Sequence, residues 1–135
     1  MLTYMLDTNI CVYLLKADSP DLIDRFNQRA NELCVSAITL GELHYGAENS
    51  ARRAENLEGL SGLVDRLDVL PFDANAAAHY GQLRSELRKI GRLAGPLDML
   101  IGAHARSEGL ILVTNNEREF VQMPGLRVEN WVANP

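Results

Sequence analysis

The chain has 135 residues, 47% of them apolar and 23% charged, and a net charge of −5 at pH 7. Its length suits one domain with a substantial core, so a single domain over residues 1–135 is expected, with a composition ordinary for a soluble globular protein. The acidic balance speaks against a passive nucleic-acid coat, which is usually basic, but leaves room for a nuclease whose acids are neutralised by divalent cations.

No apolar run approaches the roughly 20 residues of a membrane span, and the N-terminus lacks the basic region and apolar core of a secretory signal. Cys11 and Cys34 lie in apolar contexts without CxxC spacing. Reduced thiols in a cytoplasmic chain are the simplest expectation.

Strand-like runs alternate with helical ones, which predicts an α/β fold with a short, mostly parallel sheet covered by helices. Residues 2–6 read as an apolar strand ending at Asp7. Residues 10–16 read as a short helix, and Pro20 opens another to about residue 30. Residues 33–35 make a brief second strand, after which Ser36 caps a helix to about residue 46. A further helix spans about 51–67, and residues 68–70 form a third strand. Asp73 then caps a long helix whose apolar face is Ala76, Tyr80, Leu83, Leu87 and Ile90. Residues 91–96 break it. The helix over 97–107 is apolar nearly all round and should be deeply buried. Gly109 ends it, residues 110–113 are the clearest strand, and 127–129 form a last short one.

Three carboxylates sit in apolar company. Asp7 is the first charge after strand one, at the strand end where open α/β sheets bind ligands, and Thr8 and Asn9 beside it offer a hydroxyl and an amide. Glu42 lies on the helix after strand two, and Asp98 in the first turn of the most apolar helix. Each has a plain structural reading: Asp7 as a cap, Glu42 as a solvent-facing residue, Asp98 as an acid favoured at a helix N-terminus. Yet burying unpaired carboxylates is costly, and no Lys or Arg near them in sequence is an obvious partner. If the three converge, their repulsion demands a cation, and all-oxygen ligands suit Mg²⁺ or Mn²⁺. Zinc would want His or Cys, and none is spaced for it.

The fourth strand ends in Thr114-Asn115-Asn116 at the same sheet edge. Asn116 is a candidate to hold a water of the metal, Glu119 to add a supporting or second-metal carboxylate, and Thr114 to orient a water or a phosphate oxygen. A turn followed by a capped helical turn is the plain alternative. Arg84, Arg88 and Lys89 form a basic patch suited to phosphate contacts, and Arg52-Arg53 a smaller one, with a solvated helix face as the alternative for both. His44 falls on a different helix face from Glu42, His79 reads as partly exposed, and His104 as a satisfied core histidine. No Ser-His-Asp or Cys-His pattern, GxGxxG or Walker A loop is visible, so nucleotide cofactors are not expected.

With these residues placed, the chain resembles the PIN-domain ribonucleases and, among them, the VapC toxins of bacterial toxin–antitoxin pairs, in particular the enterobacterial-type group. The likeness covers essentially the whole length. It starts at Met5-Leu6-Asp7-Thr8-Asn9 and continues through Ile38-Thr39-Leu40-Gly41-Glu42-Leu43, then Tyr45-Gly46-Ala47, and Gly95-Pro96-Leu97-Asp98. Val113-Thr114-Asn115-Asn116 with Glu119-Phe120, then Pro124-Gly125-Leu126 and Glu129-Asn130-Trp131, complete it. Each piece is weak alone, but in this order and spacing they are specific.

The resemblance implies an α/β/α sandwich and Mg²⁺- or Mn²⁺-dependent endonucleolytic cleavage of RNA, leaving a 5′-phosphate and a 3′-hydroxyl. It implies that Asp7, Glu42 and Asp98 are the acidic cluster, with Asp7 and Asp98 as direct ligands and Glu42 as a ligand or water-orienting group. Glu119 would be a further catalytic acid and Asn116 would face the metal, with Thr8, Asn9 and Thr114 in support. The family often has an aspartate where this chain has Asn116, or another where it has Glu119. The resemblance also implies a tRNA substrate, notably the anticodon loop of the initiator tRNA, and a homodimer. A small VapB-like antitoxin would complete a toxin–antitoxin hetero-oligomer, its arginine entering the cluster and its seat on the helices after Ser19 and Ala51.

Two other readings are open. One is a PIN-like module that binds RNA or protein without cutting, motivated by Asn116. The other is a phosphate-handling hydrolase of the haloacid-dehalogenase kind, which needs a second aspartate two residues after the first, where this chain has Asn9.

Overall fold

A computed structural model describes residues 1–132. Five strands, β1 (Tyr4–Leu6), β2 (Leu33–Ser36), β3 (Asp68–Leu70), β4 (Ile111–Val113) and β5 (Val128–Glu129), form one sheet in the order β3-β2-β1-β4-β5. Every pairing is parallel. The helices are α1 (Thr8–Lys16), α2 (Pro20–Gln28), α3 (Ala37–Glu48), α4 (Arg53–Val64), α5 (Ala74–Lys89), α6 (Pro96–Ser107) and α7 (Glu117–Phe120).

Alternation along the strands sends neighbours to opposite faces. Tyr4, Leu6, Leu33, Val35 and Val113 join one core cluster with Ile10, Leu22, Phe26, Leu60 and Leu63 from α1, α2 and α4. Met5, Cys34 and Leu112 join the other, with Leu83 and Leu87 from α5, Met99 and Ile101 from α6, and Phe120 from α7. The expected α/β/α sandwich is what these residues build. Strands β1 and β2 are buried along their whole length, as a parallel sheet covered on both faces requires.

Polar side chains start four of the helices. Asp7, Ser19, Ser36 and Asp73 each accept a backbone N–H from the first turn, from Ile10, Leu22, Ile38 and Ala76 respectively. Two expectations need correction. The first helix begins at Thr8 rather than residue 10, because Asp7 itself is the cap. Ile90 is 57% exposed rather than part of the apolar face of α5. It follows the last helical residue, and Gly91, at φ +68°, turns the chain away from the core.

Helix α6 is buried over most of its length, as its composition predicts. At Gly102 a Cβ would stand 2.5 Å from Met123 Sδ, so the absence of a side chain lets α6 lie close to that methionine. Helices α5 and α6 run antiparallel: Asn75 at the start of α5 reaches the Ser107 carbonyl at the end of α6, and Arg106 donates to His79. The last turn of α5 therefore lies at the same end of the pair as Asp98. Cys11 and Cys34 are free and buried, and no described helix is long and apolar enough to cross a membrane.

Candidate active site at the carboxyl ends of the parallel strands

The chain runs from β1 outward to β2 and β3, then returns to lay β4 and β5 on the other side of β1. The strand order therefore reverses between β1 and β4, where open parallel sheets form a crevice at their carboxyl ends. Leu6 pairs with Val113, which puts the next residues, Asp7 and Thr114, side by side at that point.

Asp7 is held from three directions. Its N–H donates to the Val113 carbonyl at 3.0 Å, and its Oδ1 accepts from the Ile10 N–H at 2.9 Å. Its Oδ2 accepts from the Thr114 hydroxyl. Asp7 is thus both the cap that the plain reading offered and an acid held at the strand ends by Thr114. It is only 4% exposed, and its pKa is pushed up to about 6, chiefly by burial. The two hydrogen bonds resist that rise, while the charges of Asp98 and Glu42 add to it.

Thr114 is itself fully buried and accepts the Asn116 N–H at 2.8 Å. Its hydroxyl proton is committed to Asp7.

Glu42 arrives from α3, one turn beyond Thr39. Its Oε1 accepts the Thr8 hydroxyl at 2.7 Å, and Thr39 Oγ1 lies 3.3 Å from the same Thr8 oxygen. Asp98 stands in the first turn of α6, half-buried, with its pKa raised by burial first and then by Glu119 and Glu42. Four acids, Asp7, Glu42, Asp98 and Glu119, therefore share one field.

Among the described residues, the ion pairs are Arg29–Glu32, Arg52–Glu55, Arg53–Glu48 and Arg106–Glu86, none of which includes these four. Among the described residues none of these four acids has a Lys or Arg partner within 4 Å, and their donor atoms are all oxygen. That fits a hard divalent ion. Among the described residues, however, no group of three or more His, Cys, Asp or Glu side chains is already arranged to hold one. Thr8 and Thr114 hold Glu42 and Asp7 in place.

The other expected residues lie at varying distance from this field. Asn116 stands at the head of α7 and its side chain makes no capping bond. Asn9 is exposed and lines a neighbouring opening with Tyr13 and Asn115. Arg84, Arg88 and Lys89 are exposed on α5, with Arg84 donating to the Tyr80 hydroxyl at 2.8 Å. Arg88 and Lys89 sit in the last turn, at the Asp98 end. Arg53 is spent on a two-point contact with Glu48.

His44 is exposed and His79 partly so. His104 is fully buried, with Nδ1 2.7 Å from Ser36 Oγ. Its Nε2 has no hydrogen-bond partner among the described residues, so this core histidine is half satisfied rather than fully. Thr39 and Tyr13 had no sequence signal as site neighbours beyond Thr39 standing one helical turn before Glu42.

The PIN-domain pattern matches residues 4–126, nearly the whole of this fold. The chain belongs to the PIN-domain family. Within that family its relatives are VapC proteins. It is 51% identical to the tRNA(fMet)-specific endonuclease VapC of Shigella flexneri over 97% of this chain and 99% of that one. It is 50% identical to ribonuclease VapC2 of Haemophilus influenzae over 98% of this chain and all of the relative. The crystal structure of DNA-bound VapBC from Salmonella typhimurium matches with a TM-score of 0.94 at 47% identity, covering 97% of this chain and 99% of that chain. VapBC2 from Rickettsia felis, bound to a DNA fragment from its promoter, matches at 0.92 and 38% identity, covering 96% and 99%. Asp7 thus stands at the β1/β4 reversal of this PIN domain, and α3, α6 and α7 contribute Glu42, Asp98 and Glu119.

Proposed function

We propose that this VapC-family PIN domain is the toxin of a type II toxin–antitoxin pair and a Mg²⁺-dependent endoribonuclease, with Mn²⁺ able to substitute. The observation that carries the reading is Asp7, buried at the sheet's reversal point within the field of Asp98 and Glu42 and in no ion pair among the described residues. Asp7, Asp98 and Glu42 would hold the ion, with Asn116 facing it and Glu119 as a further acid. When bound, such an ion supplies Lewis acidity toward the phosphate and toward water. The chain's own contribution is positioning: Thr114 fixes Asp7, and Thr8 fixes Glu42. Arg84, Arg88 and Lys89 offer phosphate contacts, so binding weakens as salt rises.

The relatives from Shigella and Salmonella are named for tRNA(fMet), which supports that tRNA as the substrate; cleavage in its anticodon loop rests on the family resemblance alone. The VapBC structures among the relatives support a VapB-like antitoxin as partner, and the same reading takes the toxin as a homodimer within a larger cytoplasmic assembly. A groove of about 450 Å³ beside Glu42 fits an antitoxin segment. Its floor includes Val12, Leu43, Ala47 and Leu60, from α1, α3 and α4.

The test is incubation with total RNA and Mg²⁺, followed by sequencing of the new 5′ ends. Discrete cuts in the initiator tRNA that vanish with EDTA or with Asp98→Asn are expected. Cleavage that survives either treatment would sink the reading.

The neutral Asn116 favours one alternative, an RNA- or protein-binding module that does not cut. Failure to bind Mn²⁺ near neutral pH would establish it.

A further inference from the structure

Close to the strand-end acids lies an opening of about 470 Å³, lined by Asn9, Val12, Tyr13, Lys16, Asp18 and Asn115. From this opening we infer that the chain has a subsite for one unpaired nucleobase of an RNA strand, adjoining the phosphate presented to the acids. The inference rests on the ribonuclease reading.

The placement is rigid with respect to the acids. Asn9, Val12, Tyr13 and Lys16 recur at the spacing of one helix face, on the helix that Asp7 caps. Asn115 directly follows Thr114, whose hydroxyl is bonded to Asp7. Both walls of the opening are therefore anchored to the same strand ends as the site. The space falls in the range that encloses small ligands.

The chemistry is that of base recognition. Asn115 Nδ2 donates to the Tyr13 hydroxyl at 3.1 Å, and Asn115 Oδ1 accepts from Asn130 Nδ2 at 3.5 Å. Asn130 is in turn fixed by the Val132 N–H, 2.9 Å from its Oδ1. This chain sets which way the Asn115 amide faces, leaving one N–H of that amide and the Tyr13 O–H free to donate. Asn9 is exposed, and its amide makes no hydrogen bond among the described residues.

Single-stranded RNA is read by stacking bases on aromatic faces and bonding their edges to side-chain amides. The half-buried ring of Tyr13 and the two asparagine amides provide these groups together. Lys16 forms no ion pair among the described residues and offers a phosphate contact. Asp18, which also lines the opening, accepts hydrogen bonds, which the N–H groups of a base edge can donate and an ionised phosphate cannot. A paired base cannot enter, so the subsite selects unpaired segments.

The test is anisotropy of fluorescein-labelled, random-sequence single-stranded RNA 10-mers and of a blunt RNA duplex, in Mn²⁺. The proteins are the full chain and its variants Asn9→Ala, Asn115→Ala and Tyr13→Ala, with thermal melts to confirm folding. Single-strand affinity should fall about fivefold or more in each variant, while duplex affinity stays as in the wild type. Tyr13→Phe, which keeps the ring, should retain most of the single-strand affinity. Unchanged single-strand affinity in folded Asn9→Ala and Tyr13→Ala overturns the subsite, whatever the cleavage assay gives. A wild type that cuts no RNA but binds single strands in a Tyr13-dependent way overturns the nuclease reading and leaves the subsite standing.

Discussion

The Thr114 hydroxyl donates to Oδ2 of Asp7 across the junction of β1 and β4, joining residues 107 positions apart. Both side chains are buried, and Thr114 accepts a backbone N–H in return. The bond favours the ionised form of Asp7 against the cost of its burial.

Thr114→Val keeps the shape and removes the donor. Cation affinity should fall about 10- to 100-fold, as for other groups that orient a ligand from behind, and Thr114→Ser should restore most of it. Mn²⁺ titration by calorimetry measures both. An affinity unchanged in the valine variant would show that Asp7 needs no such partner.

Asp7→Asn should cost more than about 100-fold in RNA cleavage without loss of the fold. An uncharged amide still accepts the Ile10 N–H and escapes the penalty of burying a charge. Without divalent ions at pH 7, its melting temperature should equal or exceed that of the wild type. A collapsed far-UV spectrum would assign Asp7 a mainly structural role.

The pKa of about 6 at Asp7 makes a pH prediction with a definite sign. The folded protein holds this proton more tightly than the unfolded chain, whose value is 3.8. The contribution to stability is therefore complete below about pH 3.8 and is lost as pH rises through about 6. It amounts to about 3 kcal/mol. A cation binds the ionised form, so its affinity should drop as pH falls through about 6. Melting curves with EDTA and with Mn²⁺ between pH 5 and 8, each compared with Asp7→Asn, isolate this group.

His104 joins α6 to β2 through Ser36, which also caps α3 and so helps place Glu42. Burial holds its pKa below the ordinary histidine value. Its share of the stability is present above about pH 6.5 and declines as pH falls toward the folded value. His104→Ala should destabilise by about 2–4 kcal/mol, through lost packing and an orphaned Ser36 contact. Urea denaturation checks this.

Gly102→Ala places a methyl against Met123 Sδ. Met123 is flexible but buried, so it must repack at a cost of about 1–3 kcal/mol. A loss in urea midpoint without change in slope is the expected signature.

Much of this architecture was legible along the chain because its causes are local. Ser36 and Asp73 cap helices where their own neighbours need an acceptor, and the apolar run of α6 is buried as its composition dictates. The acids were legible as a set for another local reason: a carboxylate in an apolar segment must find a cation, a proton or water. Ile90 misled because periodicity continues past a helix end that Gly91 sets.

Local chemistry along the chain sets the alternation of elements, the capped helix starts and the identity of Asp7, Glu42 and Asp98 as acids needing company. That Thr114 serves Asp7 and Thr8 serves Glu42 is settled by the folded arrangement. It alone also set the opening lined by Asn9, Tyr13 and Asn115 beside the acids. Hydrogen bonds across tens of residues depend on which strands become neighbours. That is fixed by burying both faces of the sheet at once, a condition no local stretch of sequence contains.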